Sequence, residues 1–249
     1  MIRLLTLLAG LAAIAAAQPP PASATLTWQG QSAFVMETST GLKALIDPVN
    51  MGAYNNAPVE GVDVVTVTHE HPDHNAVDLA VGSPTVLRGL TGGDFATIDE
   101  TMKSVRIRTV ASYHDTEKGA QRGKNAIFVF ELPGLRVVHL GDLGHSLDAQ
   151  QIAALGPADI LLIPVSGGPT IDPKTAVEVA GQLSAKVVVP MHYGTAPAAG
   201  GGGFRLGGVD EFLKVLEPST KVVQQAGHTI TFRAGELPTG RTVMVMQYE

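Results

Sequence analysis

An α/β layered sandwich is the fold class that this sequence predicts, and three observations predict it. Short β-like runs alternate with turn clusters from Thr25 onward. Two branched apolar runs, Val62 to Thr68 and Ala158 to Val165, read as strands buried on both faces. Helical spacing then enters in the second half, most clearly over Asp172 to Leu183, so strands and interspersed helices must share one layered core.

Taken in order, Thr25 to Gln29, Ala33 to Thr38 and Leu42 to Asp47 predict three strands separated by Gly30 and Gly41. Val62 to Thr68 is the first strand covered on both sides. The turn beyond Pro72 is expected to lead into a helix. Lys103 to Ser112 alternates more openly. Asn125 to Glu131 and Leu135 to Leu140 form a hairpin about Pro133-Gly134. Ala158 to Val165 is the second buried strand. The helix from Asp172 has an aspartate N-cap followed by proline at its first position. Lys186 to Pro190 is a strand, Gly208 to Leu216 a short helix, and strands return at Lys221 and Thr242. Ala196 to Gly208 is glycine-rich and reads as a surface excursion able to act as a lid.

The chain has 249 residues. Met1-Ile2-Arg3, the apolar run Leu4 to Ala17 and the small residues Ala15-Ala16-Ala17 have the layout of a secretory signal peptide over residues 1–17, with Ala22-Ser23-Ala24 allowing a cut as late as 24. The run is shorter than the ~20 residues that span a bilayer, so no stable membrane insertion is expected after cleavage, and a periplasmic or secreted location is. Residues 18–249 then form one domain, with no Pro/Ser linker after Ser23. The apolar fraction of 45% supplies a substantial core, and the absence of cysteine removes both disulfides and thiolate ligands. A net charge of −6 without a basic stripe argues against a nucleic-acid partner and for a small-molecule substrate.

Chemistry concentrates in Thr68-His69-Glu70-His71-Pro72-Asp73-His74. Residues two apart in extended backbone point the same way, so His69 and His71 can reach one ion. Asp73 and His74, in the turn after Pro72, can face a second point a few ångströms away. Imidazole and carboxylate are the ligands borderline divalent ions take when thiolate is absent. His114, Asp142 and His192 each follow a predicted strand, and that shared position singles them out as further ligands. His139 and His145 flank Asp142 and could orient ligands from behind. His145, beyond the strand end, is the better placed of the two to touch substrate. Tyr193 is a candidate donor to a developing oxyanion. Asp172 reads as a helix cap, Trp28 as core and His228 as a solvated histidine. Ser166 lacks the glycine context of a serine nucleophile.

The series His69-x-His71-x-Asp73-His74, His114, Asp142 and His192 resembles the five-motif pattern of the metallo-β-lactamase superfamily. Asp47, in Leu45-Ile46-Asp47-Pro48, matches its first motif, a structural aspartate behind the ligands. Ser112-Tyr113-His114-Asp115, His139-Leu140-Gly141-Asp142-Leu143-Gly144-His145, Thr170-Ile171-Asp172 and Pro190-Met191-His192-Tyr193 are similar to one branch, the zinc-dependent hydrolases related to L-ascorbate-6-phosphate lactonase. The likeness runs from about Leu26 to Val223. That branch usually has Gly-His-Ser after its first strand, where this chain has Gly30-Gln31-Ser32.

The resemblance implies a four-layer αβ/βα sandwich with two metal ions, zinc by default and manganese or iron as alternatives. It places His69, His71 and His114 on one ion, Asp73, His74 and His192 on the other, and Asp142 between them. The activity implied is hydrolysis of a lactone or other ester by a metal-bridging hydroxide, which a pair of ions about 3.5–4 Å apart can hold and acidify. Asp73 would orient that nucleophile or shuttle its proton. Phosphodiesterase or β-lactamase-type activity on the same site are alternatives. A phosphorylated substrate would need a cation among Arg88, Lys118, Arg122, Lys124 and Arg205. A non-catalytic periplasmic metal-binding protein on the same fold is the reading from another class.

Overall fold

The computed structural model describes residues 21–51, 54–195 and 206–248. The signal segment predicted over residues 1–17 and most of the glycine-rich excursion, residues 196–205, lie outside them.

Two mixed sheets form the body. One has six strands, in the order Thr229–Arg233, Ser23–Trp28, Phe34–Thr38, Lys43–Ile46, Val64–Val67 and Thr85–Arg88. Its first four strands pair antiparallel and its last three pair parallel. The other has eight strands, in the order Asp99–Met102, Val105–Tyr113, Lys124–Leu132, Leu135–His139, Ile160–Pro164, Val187–Met191, Thr242–Val245 and Lys221–Gln224. It is antiparallel up to Leu135–His139 and parallel beyond.

Burial follows the sequence pattern. Ala24, Leu26 and Trp28 are buried while Thr25 and Thr27, between them, are half-buried, the two-residue period of a strand with one covered face. Val64–Val67 and Ile160–Pro164 are buried at every position. Trp28, Phe34 and Met36 of the first sheet share one apolar cluster with Phe128, Phe130 and Val137 of the second, so the sheets pack face to face.

The helices Ala149–Leu155, Pro173–Gln182 and Val209–Lys214 bury Leu155, Val179 and Phe212 in the same cluster and form the layer outside the second sheet. Asp172 caps its helix as expected, accepting the Thr175 N–H at 2.8 Å. The layer outside the first sheet is thinner. Val35, Leu45, Val65 and Val67 are covered by Leu79 and Ala80, from the single 3-10 turn Val77–Leu79. This turn replaces the helix expected after Pro72. Ala80 is already extended and bridges Val59, and Gly82 and Pro84 follow at once, so a helix has no room to propagate. Lys103 and Ser104, expected in a strand, instead form the turn between Asp99–Met102 and Val105–Tyr113. Among the described residues no helix is long and apolar enough to cross a membrane.

Strand direction is what positions the site. Ser23–Trp28, Lys43–Ile46 and Val64–Val67 run the same way, each parallel to the next or separated by one antiparallel strand. Val105–Tyr113, Leu135–His139 and Val187–Met191 are likewise co-directed. The segments that follow these six strands, carrying Gln31, Asp47, His69 to His74, His114, Asp142 and His192, therefore leave their sheets at carboxyl-terminal edges, where open α/β sheets place ligands. Phe130→Ala, which empties a fully buried ring position between the sheets, is expected to cost about 3–5 kcal/mol of unfolding free energy, measured by urea denaturation.

Candidate metal centre

Two groups of side chains meet at this edge. His69, His71 and His114 form one; Asp73, His74, Asp142 and His192 form the other. Within each group the potential ligating atoms lie within 4.8 Å of one another. All are buried except His71, which is exposed. Asp142 is the focus. Its Oδ2 lies 3.1 Å from His114 Nε2, 3.2 Å from His74 Nε2 and 3.2 Å from His192 Nε2, with His69 Nε2 at 4.0 Å. One carboxylate oxygen thus faces imidazoles of both groups.

The charges are unbalanced without a cation. Burial by itself would raise the Asp142 carboxyl, but the His192 and His74 rings outweigh it and hold the group well below the usual carboxylate range. Burial pulls His69 well below an ordinary imidazole, and His74 beside it adds to the effect. Burial would lower His74 too, but Asp142 and Asp47 overcome this and raise it well above the ordinary value. The buried Nε2 of His74 has no hydrogen-bond partner although Asp142 Oδ2 is near. The candidate ligand atoms of each group are close enough together to share one ion. Two ligands about 2.0–2.1 Å from a tetrahedral ion sit about 3.3 Å apart, close to the spacings here. An all-nitrogen-and-oxygen donor set of this kind fits a divalent metal.

A supporting layer orients the ligands. Asp47 accepts the Thr68 N–H at 2.8 Å and the Thr68 hydroxyl at 2.6 Å, and its Oδ2 lies 2.8 Å from His74 Nδ1. The Thr68 hydroxyl is also 3.0 Å from His69 Nδ1, so one aspartate steadies two rings. Ser166 Oγ lies 3.3 Å from His192 Nδ1. The Gln31 amide donates to Asp73 Oδ2 at 2.9 Å, while its own buried Oε1 has no partner. The Gln31 backbone carbonyl accepts the Trp28 indole N–H and the His192 N–H, both at 3.0 Å, which ties the first sheet to the second at the site. Asn125 accepts the Asp142 N–H at 3.0 Å and donates to Leu140 O at 2.9 Å. Gly141, at φ 55°, lies so close to Asn125 and Thr68 that any Cβ would collide with both. Three of the seven described non-glycine residues with positive φ are Gln31, Asp47 and His192, so backbone strain gathers here.

A sandwich with this donor set at its shared strand edge defines a metal-dependent hydrolase. The chain belongs to the metallo-β-lactamase superfamily: the Beta-lactamase superfamily domain family matches residues 25–192. A UPF0173 metal-dependent hydrolase of Archaeoglobus fulgidus is 32% identical over 197 residues, covering 69% of this chain and 84% of the relative. One from Methanoculleus marisnigri is 30% identical over 218 residues, covering 79% and 90%. A Thermotoga maritima structure, assigned to the Zn-dependent hydrolases of the metallo-beta-lactamase superfamily, superposes with a TM-score of 0.68 at 35% identity and covers 90% of this chain and 98% of that one.

The seven ligand candidates read from the sequence are the seven side chains brought together. One other assignment needs correction, and His145 takes a particular place. The Tyr193 hydroxyl donates to the Met246 carbonyl at 3.1 Å, and its ring packs on Trp28 at 5.1 Å between centroids, so this buried residue has no donor left for an oxyanion. His145 lines a cleft beside His114, but its Nε2 accepts the Tyr113 N–H at 3.1 Å and its Nδ1 lies 2.7 Å from Ser146 O. With both nitrogens bonded to backbone, its ring is fixed in the wall of that cleft. His139 is fully buried, with Nε2 2.8 Å from Ser32 O and Nδ1 accepting the Gly141 N–H at 3.2 Å. His228 is half-buried, and its backbone carbonyl accepts the Trp28 backbone N–H at 2.7 Å. Asn125, Thr68 and Ser166 were not singled out as site residues. An asparagine opening the apolar run Asn125 to Glu131 was the one available signal.

Replacing Asp47 by asparagine, which keeps its shape but removes the anionic acceptor of His74, is expected to weaken divalent-metal binding about 10–100-fold. Competition against a chromophoric chelator measures this, with circular dichroism verifying the fold.

Proposed function

We propose that the protein hydrolyses a lactone or other carboxylic ester at a pair of divalent ions, zinc by default, with manganese or iron able to use the same ligands. His69, His71 and His114 would hold one ion and Asp73, His74 and His192 the other, with Asp142 a ligand available to both. The observation that carries this reading is the position of Asp142 Oδ2, 3.1–3.2 Å from ring nitrogens belonging to both groups. Ions bound there supply a water of near-neutral pKa and polarise a substrate oxygen.

The chain's own residues perform the rest. Asp47 and Thr68 fix the rings of His74 and His69 so that their Nε2 atoms face the centre. Gln31 holds one oxygen of Asp73, leaving the other to orient a nucleophile or take its proton. Burial of six of the seven ligands keeps bulk water from screening the centre, and the exposed His71 marks the side on which substrate approaches. The same reading includes export, on the strength of the basic start, apolar run and small residues of Met1 to Ala17.

Asp142→Ala would remove the one carboxylate within reach of both groups of ligands, and with it the negative charge that would separate two cations. Metal content is expected to fall from about two per chain to one or fewer, with loss of activity. Elemental analysis after gel filtration and a substrate panel of lactones, aryl esters and bis-(p-nitrophenyl) phosphate check both. Retention of two ions and near-normal turnover would remove the bridge. Export predicts that the mature amino terminus is Gln18, or failing that Thr25. Amino-terminal sequencing tests it, and an intact Met1 on the cytoplasmic protein contradicts it.

A further inference from the structure

The two groups of candidate ligands are not equally supported. In the group of Asp73, His74, Asp142 and His192, every member is held from behind. Asp47 Oδ2 lies 2.8 Å from His74 Nδ1, Ser166 Oγ 3.3 Å from His192 Nδ1, and the Gln31 amide donates to Asp73 Oδ2 at 2.9 Å. Asp142 is held twice, by Asn125 at its backbone N–H and by the Ser32 hydroxyl, 3.4 Å from the Oδ1 that does not face the rings.

In the other group only His69 has such a partner, the Thr68 hydroxyl 3.0 Å from its Nδ1. His114 Nδ1 is buried without one. His71 is exposed, and among the described residues its one hydrogen-bond approach is to His69 Nε2, in a ring of its own group, at 3.0 Å. Partners behind a ligand fix its orientation and raise metal affinity. The charges differ in the same direction. The first-named group brings two carboxylates and two imidazoles, all buried, whereas the other brings three imidazoles. Two carboxylates match the charge of a divalent cation, and attraction is strongest where burial excludes water.

Gln31 is the joint of the supported group. Its side chain holds Asp73 and its backbone carbonyl accepts the His192 N–H at 3.0 Å, so one residue orients ligands that follow strands of different sheets. It does so in an unfavourable state. Its backbone is left-handed, at φ 50°, and its buried Oε1 has no donor because the amide is turned to present Nε2 to the carboxylate. The reverse orientation would set oxygen against oxygen. An apolar side chain of the same size would carry no orphaned acceptor, so what glutamine contributes here is the donor to Asp73. No hydrogen bond of Gly30, Gln31 or Ser32 reaches His69, His71 or His114 among the described residues.

We propose that Asp73, His74, Asp142 and His192 form the tighter of two unequal metal sites, filled first and emptied last, and that Gln31 is the positioning residue that makes it so. This deepens the two-ion reading of the centre and rests on it. The His69, His71 and His114 group is then the exchangeable site, open on the side of His71.

The test loads the protein with zinc, dialyses it against graded concentrations of a chelator of known affinity, and measures the zinc retained per chain by elemental analysis. The wild type is expected to release its ions in two separate steps. His71→Ala should lack the easily released ion and keep the other at the wild-type midpoint. Gln31→Met, close in size but without the amide, should move the second step about 10–100-fold toward weaker binding and leave the first in place. Gln31→His, which returns an N–H donor and the residue usual in the related branch, should restore it; a merely space-filling role would not distinguish methionine from histidine. Circular dichroism checks each fold, and Gln31→Ala replaces the methionine variant if that one does not fold. A single release step for both ions, or a tightly held ion lost in His71→Ala and untouched by Gln31→Met, overturns the order of the sites. Equal shifts of both steps in Gln31→Met, or no rescue by histidine, overturn the role of Gln31. If the wild type saturates at one ion, the two-ion reading fails, and the same variants still decide which group holds that ion. If two ions bind in the expected order and no ester is hydrolysed, the hydrolase reading falls and the unequal sites stand.

Discussion

A buried carboxylate facing three imidazole nitrogens at 3.1–3.2 Å organises this protein. Asp142 is only 2% exposed, and an ionised carboxylate at that depth is costly unless opposite charge and hydrogen bonds surround it. The surroundings supply both. Asn125 and Ser32 contact its backbone and its second oxygen, and histidines arrive from three separate stretches of chain. The protons of those histidines can balance the charge only imperfectly, because burial pushes His69 down while carboxylates push His74 up. A divalent metal would balance it through the same imidazole nitrogens and carboxylate oxygens, which is why the site reads as a metal centre and not as an ion-pair network.

The two sheets exist in their particular pairing so that this can happen. Face-to-face packing of Phe34 and Met36 against Phe128 and Phe130 brings together two edges at which co-directed strands end. The joint is locked by main-chain contacts as well as by apolar area. The Gln31 carbonyl accepts from both Trp28 and His192, and the Thr68 carbonyl accepts the Ala126 N–H of the second sheet at 3.0 Å. Left-handed backbone at Gln31, Asp47 and His192 has a strain cost of about 1–3 kcal/mol each and persists because these hydrogen bonds over-determine it. Stability is spent where geometry matters most.

The neighbouring cleft obeys the same logic with different means. At the metal centre, side chains are oriented by a buried aspartate behind them; in the cleft wall, backbone is oriented by a buried aspartate within it. Asp47 serves rings and Asp115 serves a loop. In both places the negative charge is consumed locally, by ring and hydroxyl donors at Asp47 and by backbone N–H groups at Asp115.

Most strands, two of the helices and all seven ligand candidates were legible in the sequence because their signals are local. Two-residue alternation in Ser23–Trp28, unbroken branched runs in Val64–Val67 and Ile160–Pro164, and a proline after the capping Asp172 each state their structure within a few residues. The His69 to His74 cluster does so for chemistry, and the family pattern extends it to His114, Asp142 and His192. What tertiary structure alone decided is whatever depends on the partner a polar atom finds. Tyr193 and His145 sit beside ligands in sequence or in space, yet their polar atoms are taken by Met246, Tyr113 and Ser146. The helix expected after Pro72 shrank to a 3-10 turn because Ala80 bridges to Val59, a contact between distant segments. Arg122 was one cation among five until the folded loop set it in the cleft wall and gave Arg88 and Lys124 to other partners. Residue type and spacing determine which groups could do chemistry; the three-dimensional hydrogen-bond accounting determines which of them are still free to do it.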